Sequence, residues 1–366
     1  EKMFSSVTKY SIPGIGIPLV TCGCKDTTAD AEWVSEEINY IDSKSGFSLL
    51  NINNLKEKTS SLFTEERIER ILGPDGSATG KMVKEMLMAG GKRIRPLLTV
   101  LACEAFSSDP DQELLARLAM SVECFHKASL IHDDIEDNDS FRYGSATIHT
   151  RYGIPVAINL GDLLTGEGYR LLSGSGLSAG AASDCLRVVS GGHRAMAIGQ
   201  GEELLARREG RILPVNGIIE VFRNKTSAAF RVSLQVGAIA AGADERSLEL
   251  LERFSDLIGI AYQIKDDLED FETDNDTASF DDQSVLVSLL AETADNDDIR
   301  AIEASLKNRN IKDLKSMADK YNVRERVTAM LREYLVNTRG CLDDISNLRL
   351  KLALNEIVGK TFGDYV

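Results

Sequence analysis

Two acidic clusters of one form, each closing an apolar stretch, restrict what this chain can fold into more than any other feature. The first lies in Ser129-Leu-Ile-His-Asp-Asp-Ile-Glu-Asp-Asn-Asp139 and packs five carboxylates into seven residues: Asp133, Asp134, Glu136, Asp137 and Asp139. The second is Tyr262-Gln-Ile-Lys-Asp-Asp-Leu-Glu-Asp270. In each, two aspartates stand four apart, Asp133 with Asp137 and Asp266 with Asp270. On a helix such a pair shares one face, about 6 Å apart along the axis. Like charges this dense repel one another unless a cation joins them. The spacing suits oxygen ligands for a hard divalent ion such as Mg²⁺, which keeps waters and takes one or two carboxylates plus phosphate oxygens. One such cluster alone reads as a solvated helix end. Two of the same form read as opposite walls of one cavity that share metal ions.

The rest of the chain fits an all-α bundle around a central cleft. Apolar residues are 43% of the 366 and aromatics only 6%, so the core is aliphatic. From Thr64 onward apolar residues recur at helical spacing. The pattern predicts helices near 64–72, 77–90, 94–106, 112–138, 154–173, 178–207, 214–242, 246–272, 284–294, 296–306, 311–320, 323–345 and 349–361. All seven prolines lie at or before Pro214, which favours long uninterrupted helices beyond it. No convincing alternating strand and no repeat of fixed period is visible. Residues 1–60 differ from the rest. Ser11-Ile-Pro-Gly-Ile-Gly-Ile-Pro18 reads as an extended, loop-like segment, followed by polar sequence with one short helix around Thr28–Tyr40. The expected division is therefore an extension over 1–60 and a helical domain over 61–366.

Net charge is −15, with a pI near 4.9, which argues against general affinity for nucleic acid or anionic membrane. No apolar run approaches the ~18 residues of a membrane span. No secretory signal is visible, and the first residue, Glu1, points to a truncated or processed start. Six scattered cysteines, Cys22, Cys24, Cys103, Cys124, Cys185 and Cys341, read as reduced residues of an intracellular protein.

The clusters have cationic company. Gly90-Gly-Lys-Arg-Ile-Arg-Pro96 places Lys92, Arg93 and Arg95 after two glycines that let backbone approach a ligand. Helix starts and arginine forks both favour phosphate. His126 lies two helical turns before Asp133 on nearly the same face, fit to hold a second anion. Arg142 follows the first cluster within reach of a phosphate bound there. Lys225 and Thr226 put a cation and a hydroxyl on a long apolar helix, where a lysine needs an anionic partner or an escape to solvent. The sum is a metal–diphosphate site, a neighbouring metal-free anion site and a greasy cavity between them. That set suits ionisation of an allylic diphosphate, with cations on the leaving group and apolar walls that keep water off the carbocation.

Over about residues 64–365 the chain resembles the trans-type isoprenyl diphosphate (polyprenyl) synthases. The motifs are Gly-Gly-Lys-Arg-x-Arg-Pro, His-x-x-Ser-Leu-x-His-Asp-Asp-x-x-Asp, Lys-Thr and Gln-x-x-Asp-Asp-x-x-Asp, in that family's order. The resemblance implies an isoprenoid synthase fold of roughly a dozen helices, usually a cytoplasmic homodimer. It also implies three Mg²⁺ ions, with Mn²⁺ as a substitute, and head-to-tail condensation of isopentenyl diphosphate with an allylic diphosphate. By it Asp133, Asp134 and Asp137 hold two metals, and Asp266 with Asp270 organises the third. Lys225, Arg142 and Gln263 contact the allylic diphosphate, with Thr226 near the reacting carbon. Lys92, Arg95 and His126 hold isopentenyl diphosphate.

Three departures stand out. Tyr143 replaces the second arginine of the family's pair, Ala146 replaces a proline, and the segment Phe271–Asp282 is acidic and lacks the family's lysine. Product length has a geometric reading: one helical turn, 5.4 Å, is comparable to one isoprene unit. Small Ala128 and Ser129, five and four residues before Asp133, leave a tunnel open past C15. Phe125 then supplies a floor, for a product near C20. Two alternatives keep the same residues but change the outcome: a weakly active regulatory subunit of a synthase, and a class I terpene cyclase. A third possibility is a synthase that joins prenyl units in an unusual way.

Overall fold

In a computed structural model, the described residues are 8–11, 18–21, 51–74, 76–272, 282–308 and 310–365. The chain divides into Glu1–Leu49 and Leu50–Val366. In the first unit β1 (Thr8–Ser11) and β2 (Pro18–Thr21) pair antiparallel, Thr8 opposite Thr21 and Ser11 opposite Pro18. The helix expected over Thr28–Tyr40 and the cysteines 22 and 24 lie outside the described residues.

The second unit is helical, as the periodicity requires. Its elements are α1 (Ile52–Ser61), α2 (Glu65–Leu72), α3 (Ala78–Met88), α4 (Ile94–Phe106) and α5 (Gln112–Glu136), then a small hairpin of β3 (Phe141–Arg142) and β4 (Ser145–Ala146). Next come α6 (Ile148–Tyr152), α7 (Ile154–Ser173), α8 (Ala179–Glu209) and α9 (Val215–Phe222). After one π-helical turn (Arg223–Ser227) follow α10 (Ala228–Ala240), α11 (Glu245–Glu272), α12 (Val285–Thr293), α13 (Asn296–Lys307), α14 (Ile311–Lys320), α15 (Val323–Asp343) and α16 (Leu348–Phe362). Side-chain caps fix many starts: Thr64, Ser77, Asp111, Ser178, Ser284 and Asn347 each accept a backbone N–H of the first turn.

The all-α expectation holds, and every helix predicted from Thr64 onward has a counterpart within a few residues. Three features of this second unit were not foreseen. Helices α1 and α6 are additional, and the predicted 214–242 helix is interrupted by the π turn. The β3–β4 hairpin is too short to show alternation in sequence. Its turn has Tyr143 at φ 51° and Gly144 at φ 79°, the pair of left-handed residues a type I′ turn requires.

The core is organised on α10. Ala228, Ala229 and the run Val232–Ile239 are buried, so this helix is enclosed on all sides. It packs against α4, α8 and α11. Contact with α4 is backbone-close, because a Cβ on Gly237 would meet the Thr99 carbonyl oxygen at 2.1 Å. Helix α5 lies along α7, and α11 along α15. Both acid clusters therefore end helices that the aliphatic core holds rigidly.

Candidate active site

The π turn is the local irregularity that builds the site. The Ala228 N–H bonds the Arg223 carbonyl five residues back, one residue more than an α-helix allows. The bulge fits because its neighbours lack side chains. A Cβ on Gly259 of α11 would come 2.4 Å from Ser227 Oγ, and one on Gly199 of α8 would come 2.8 Å from Asn224 Cβ. Thus held, the turn presents Lys225 and Thr226. Lys225 Nζ donates to Glu203 Oε2 at 2.6 Å, and Thr226 Oγ1 donates to Gln263 Oε1 at 2.8 Å. The lysine on an apolar helix thus has its anion, Glu203 of α8.

Both acidic clusters sit at helix C-termini, where the macrodipole is negative and further negative charge is disfavoured. Burial adds to that strain. Loss of hydration pushes Asp133 up to about 6, with Glu136 and Asp137 raising it further and Lys225 and Arg142 opposing. Asp266 is pushed up to about 7 for the same chief reason, with Glu269 and Asp270 adding and Lys265 and Lys92 opposing. Asp134 is only 5% exposed and accepts a short hydrogen bond from Arg142 Nε. Arg142 also approaches Asp139 at 3.5 Å, so its charge is spent on the first cluster. Asp137 and Asp270 are exposed at the rim, and Asp137 receives Arg207 Nη1 at 3.1 Å.

The basic turn interacts with both clusters. Gly90 at φ 76°, Gly91 at φ 121° and Arg93 at φ 45° shape it. Arg95, in the first turn of α4, is within electrostatic reach of both Asp133 and Tyr262, and Lys92 of Asp266. Arg95 Nη1 lies 3.2 Å from His126 Nε2. Burial, then Arg95, Lys127 and Arg142, push His126 down to about 2, so the ring is neutral at ordinary pH. Arg93 does not join them: it donates to the Leu87 carbonyl at 2.8 Å and stacks 4.0 Å over the Phe63 ring. Beneath the cations lies Glu123, 1% exposed and 3.7 Å from Lys127. Tyr143 is 87% exposed at the hairpin tip, within electrostatic reach of Arg95.

A cavity of about 250 Å³ runs from Asp133 along α5. Phe125, Ala128 and Ser129 all line it, with Val189 and Val232 from facing helices. Phe125 meets Tyr169 edge-on at 4.9 Å, and its ring lies where a Cβ on Gly168 would come within 2.7 Å. Tyr169 in turn shares a hydrogen bond with His193 Nδ1 at 3.2 Å.

The family model described as "Polyprenyl synthetase" matches residues 77–318. The chain belongs to the polyprenyl synthetase family. It is accordingly a prenyltransferase of isoprenoid biosynthesis, with the isoprenoid synthase fold. It is 32% identical over 238 residues to a short chain isoprenyl diphosphate synthase of Methanocaldococcus jannaschii, covering 63% of this chain and 71% of that one. It is 35% identical over 212 residues to a farnesyl diphosphate synthase of Geobacillus stearothermophilus, covering 56% and 69%. A crystal structure of geranylgeranyl pyrophosphate synthetase from Pyrococcus horikoshii shares the fold with a TM-score of 0.73 at 24% identity, covering 84% of this chain and 97% of that one.

Within this polyprenyl synthetase site, sequence reasoning missed several residues: Glu203 and Arg207 on α8, Glu123 and Lys127 on α5, and the Tyr169–His193 pair. Glu203 and Arg207 stand four apart on a helix, a spacing common to ordinary surface pairs, so nothing local marks them. Among the described residues no three His, Cys, Asp or Glu side chains already converge on a point fit for a metal ion. Mg²⁺ completes its shell with water and phosphate and needs no all-protein cage. The donor set is hard oxygen, and burial raises the Asp133 and Asp266 carboxyls, a cost that a bound cation would offset. The residues present fit the ion. The cysteines 103, 124, 185 and 341 are buried free thiols away from this chemistry. No helix among the described residues is long and apolar enough to cross a membrane.

Proposed function

We propose that this enzyme condenses isopentenyl diphosphate head-to-tail with an allylic diphosphate to give a trans-prenyl diphosphate near C20. The observation that carries this reading is the grouping of Arg95 and neutral His126 near Asp133, and of Lys92 near Asp266, with an apolar cavity opening beside Asp133. Asp133, Asp137, Asp266 and Asp270 would hold Mg²⁺, three ions by the resemblance, and Asp134 joins them once Arg142 turns to the diphosphate. Bound Mg²⁺, or Mn²⁺ in its place, supplies Lewis-acid stabilisation of the leaving diphosphate.

The chain's own residues do the rest. Lys225, delivered by the π turn, exchanges Glu203 for the allylic diphosphate and stabilises its departing charge. Thr226, oriented by Gln263, faces the reacting carbon. Lys92, Arg95 and His126 fix the diphosphate of isopentenyl diphosphate, so that its double bond lies against the allylic cation. The neutral imidazole offers a hydrogen bond there without further charge. The aliphatic cavity wall excludes water from the cation. The allylic C–O bond breaks, a new C–C bond forms, and the released diphosphate takes the proton that leaves the product.

Product length is set by the distance from Asp133 to Phe125, eight residues or about 12 Å along α5. A homodimer goes with this reading. It is supported by exposed Ile154 and Ile158 on α7 and exposed Ile198 and Leu205 on α8, apolar side chains that a second copy would cover. The cytoplasmic location rests on the family resemblance alone. Exposed Tyr143 favours the subunit reading at one point, since the acceptor site has one guanidinium fewer.

The test is to incubate the protein with Mg²⁺, isopentenyl diphosphate and each of the C5, C10 and C15 primers, and to weigh the products. Elongation that Asp133→Asn and Asp266→Asn both abolish supports the synthase. Cyclised hydrocarbon from a primer alone identifies a cyclase, and no turnover with any primer supports the subunit.

A further inference from the structure

Arg207 is the residue that neither the motifs nor the proposed chemistry requires. It projects from the last turn of α8 and binds carboxylates from three separate elements among the described residues. Nη1 donates to Asp137 Oδ1 at 3.1 Å, Nη2 to Glu203 Oε1 at 3.1 Å, and Nε to Asp282 Oδ1 at 3.2 Å. A planar guanidinium with fixed donors is suited to hold such a set, and a lysine is not. Asp137 is the rim member of the first aspartate pair. Thus one of the two oxygens it can offer a divalent ion already has a resident cation.

We propose that Arg207 is a built-in competitor for the metal position at Asp137. In the substrate-free enzyme its guanidinium neutralises Asp137, and a metal ion must displace it to use that carboxylate fully. Glu203 and Asp282 give the displaced guanidinium two anions to fall back on, so the exchange leaves no charge unpaired. The consequence is ordered loading. Mg²⁺ alone competes poorly, whereas Mg²⁺ arriving with a diphosphate brings its own oxygens and does not depend on Asp137 at first. The enzyme then gathers metal with substrate rather than before it. This rests on the reading of Asp137 as a metal ligand.

The test is Mn²⁺ binding to the substrate-free full chain, followed by the electron paramagnetic resonance signal of free Mn²⁺. Arg207→Gln should bind the ion about tenfold more tightly, the scale of one charge-assisted hydrogen bond. Asp282→Asn should bind it severalfold more weakly, because Arg207 then leans more on Asp137. Asp137→Asn should lose the site. If Asp137→Asn titrates like the parent, Asp137 is no metal ligand and the reading beneath the inference fails. If Asp137→Asn loses the site while Arg207→Gln is unchanged or weaker, the competitor role alone is overturned. Should Arg207→Gln not fold, the isosteric Asp282→Asn change at the half-buried loop position decides: unchanged or tighter binding refutes the role.

Discussion

Gly259 and Ser227 touch backbone to backbone: a Cβ on the glycine would lie 2.4 Å from Ser227 Oγ and 2.5 Å from Ser227 Cα. That closeness is what lets α11, bearing Gln263 and Asp266, lie against the π turn that bears Lys225 and Thr226. Beside the hydroxyl stand main-chain atoms, Ser227 Cα at 2.5 Å and N at 2.7 Å, so the turn itself must shift. Gly259→Ala should cost ~1–3 kcal/mol, the range for overpacking a tight core. It should also lower kcat more than substrate affinity, since the Thr226–Gln263 contact is displaced. Urea unfolding and steady-state kinetics on one preparation check both.

Lys225 is held ready by Glu203 at 2.6 Å. Lys225→Gln removes a positive charge aimed at the leaving group. The expected loss in kcat is about 10²–10³-fold, comparable to deleting one donor to a developing anion. A rise in the allylic substrate KM with kcat unchanged would assign the lysine to ground-state binding instead.

Phe125 stands in the cavity wall against Gly168 and Tyr169. Phe125→Ala should move the main product from about C20 to C25 and beyond, read by mass spectrometry of the dephosphorylated alcohols. The stability cost should fall below the ~3–5 kcal/mol of a fully buried Phe→Ala change, because the ring is only half-buried. Unchanged product length would place the floor elsewhere.

His126 gives the stability curve an acid limb. Its folded value near 2 lies far below the ordinary 6.5. The unfolded chain therefore takes up a proton that the folded chain refuses, and stability falls as pH drops from about 6.5 toward 2. Above 6.5 the group is neutral in both states and contributes no slope. His126→Gln should flatten urea-unfolding free energy between pH 6.5 and 5 relative to the parent. An unchanged slope would show that the imidazole is protonated in the folded protein.

The bundle was legible in the sequence because its signals are local and repeated. Apolar spacing located α5, α8 and α11 to within a few residues, and the repeated aspartate spacing marked both of their acidic ends. What stayed hidden depends on contacts between elements. Nothing in Arg223-Asn-Lys-Thr-Ser227 marks a π turn, since the cause lies in Gly199 and Gly259 on other helices. Arg207 carries no local signal because its partners Asp137 and Asp282 are 70 and 75 residues away. Arg142 was expected at a phosphate and is found on Asp134, where burial of the acid demands a partner in the absence of substrate. The segment after Glu272 was marked as unusual, but residues 273–281 fall outside the described ones.

The widened turn at 223–227 also bears on how such a sequence can change. It carries one surplus residue, which the wider i→i+5 turn absorbs so that α9 and α10 keep nearly the phase of one continuous helix. Deleting a single residue there would let the chain rewind as a regular helix and leave the bundle on either side in register. What would go is the local widening that presents Lys225 and Thr226 to the cleft. A shortened variant would therefore keep the fold and lose the site.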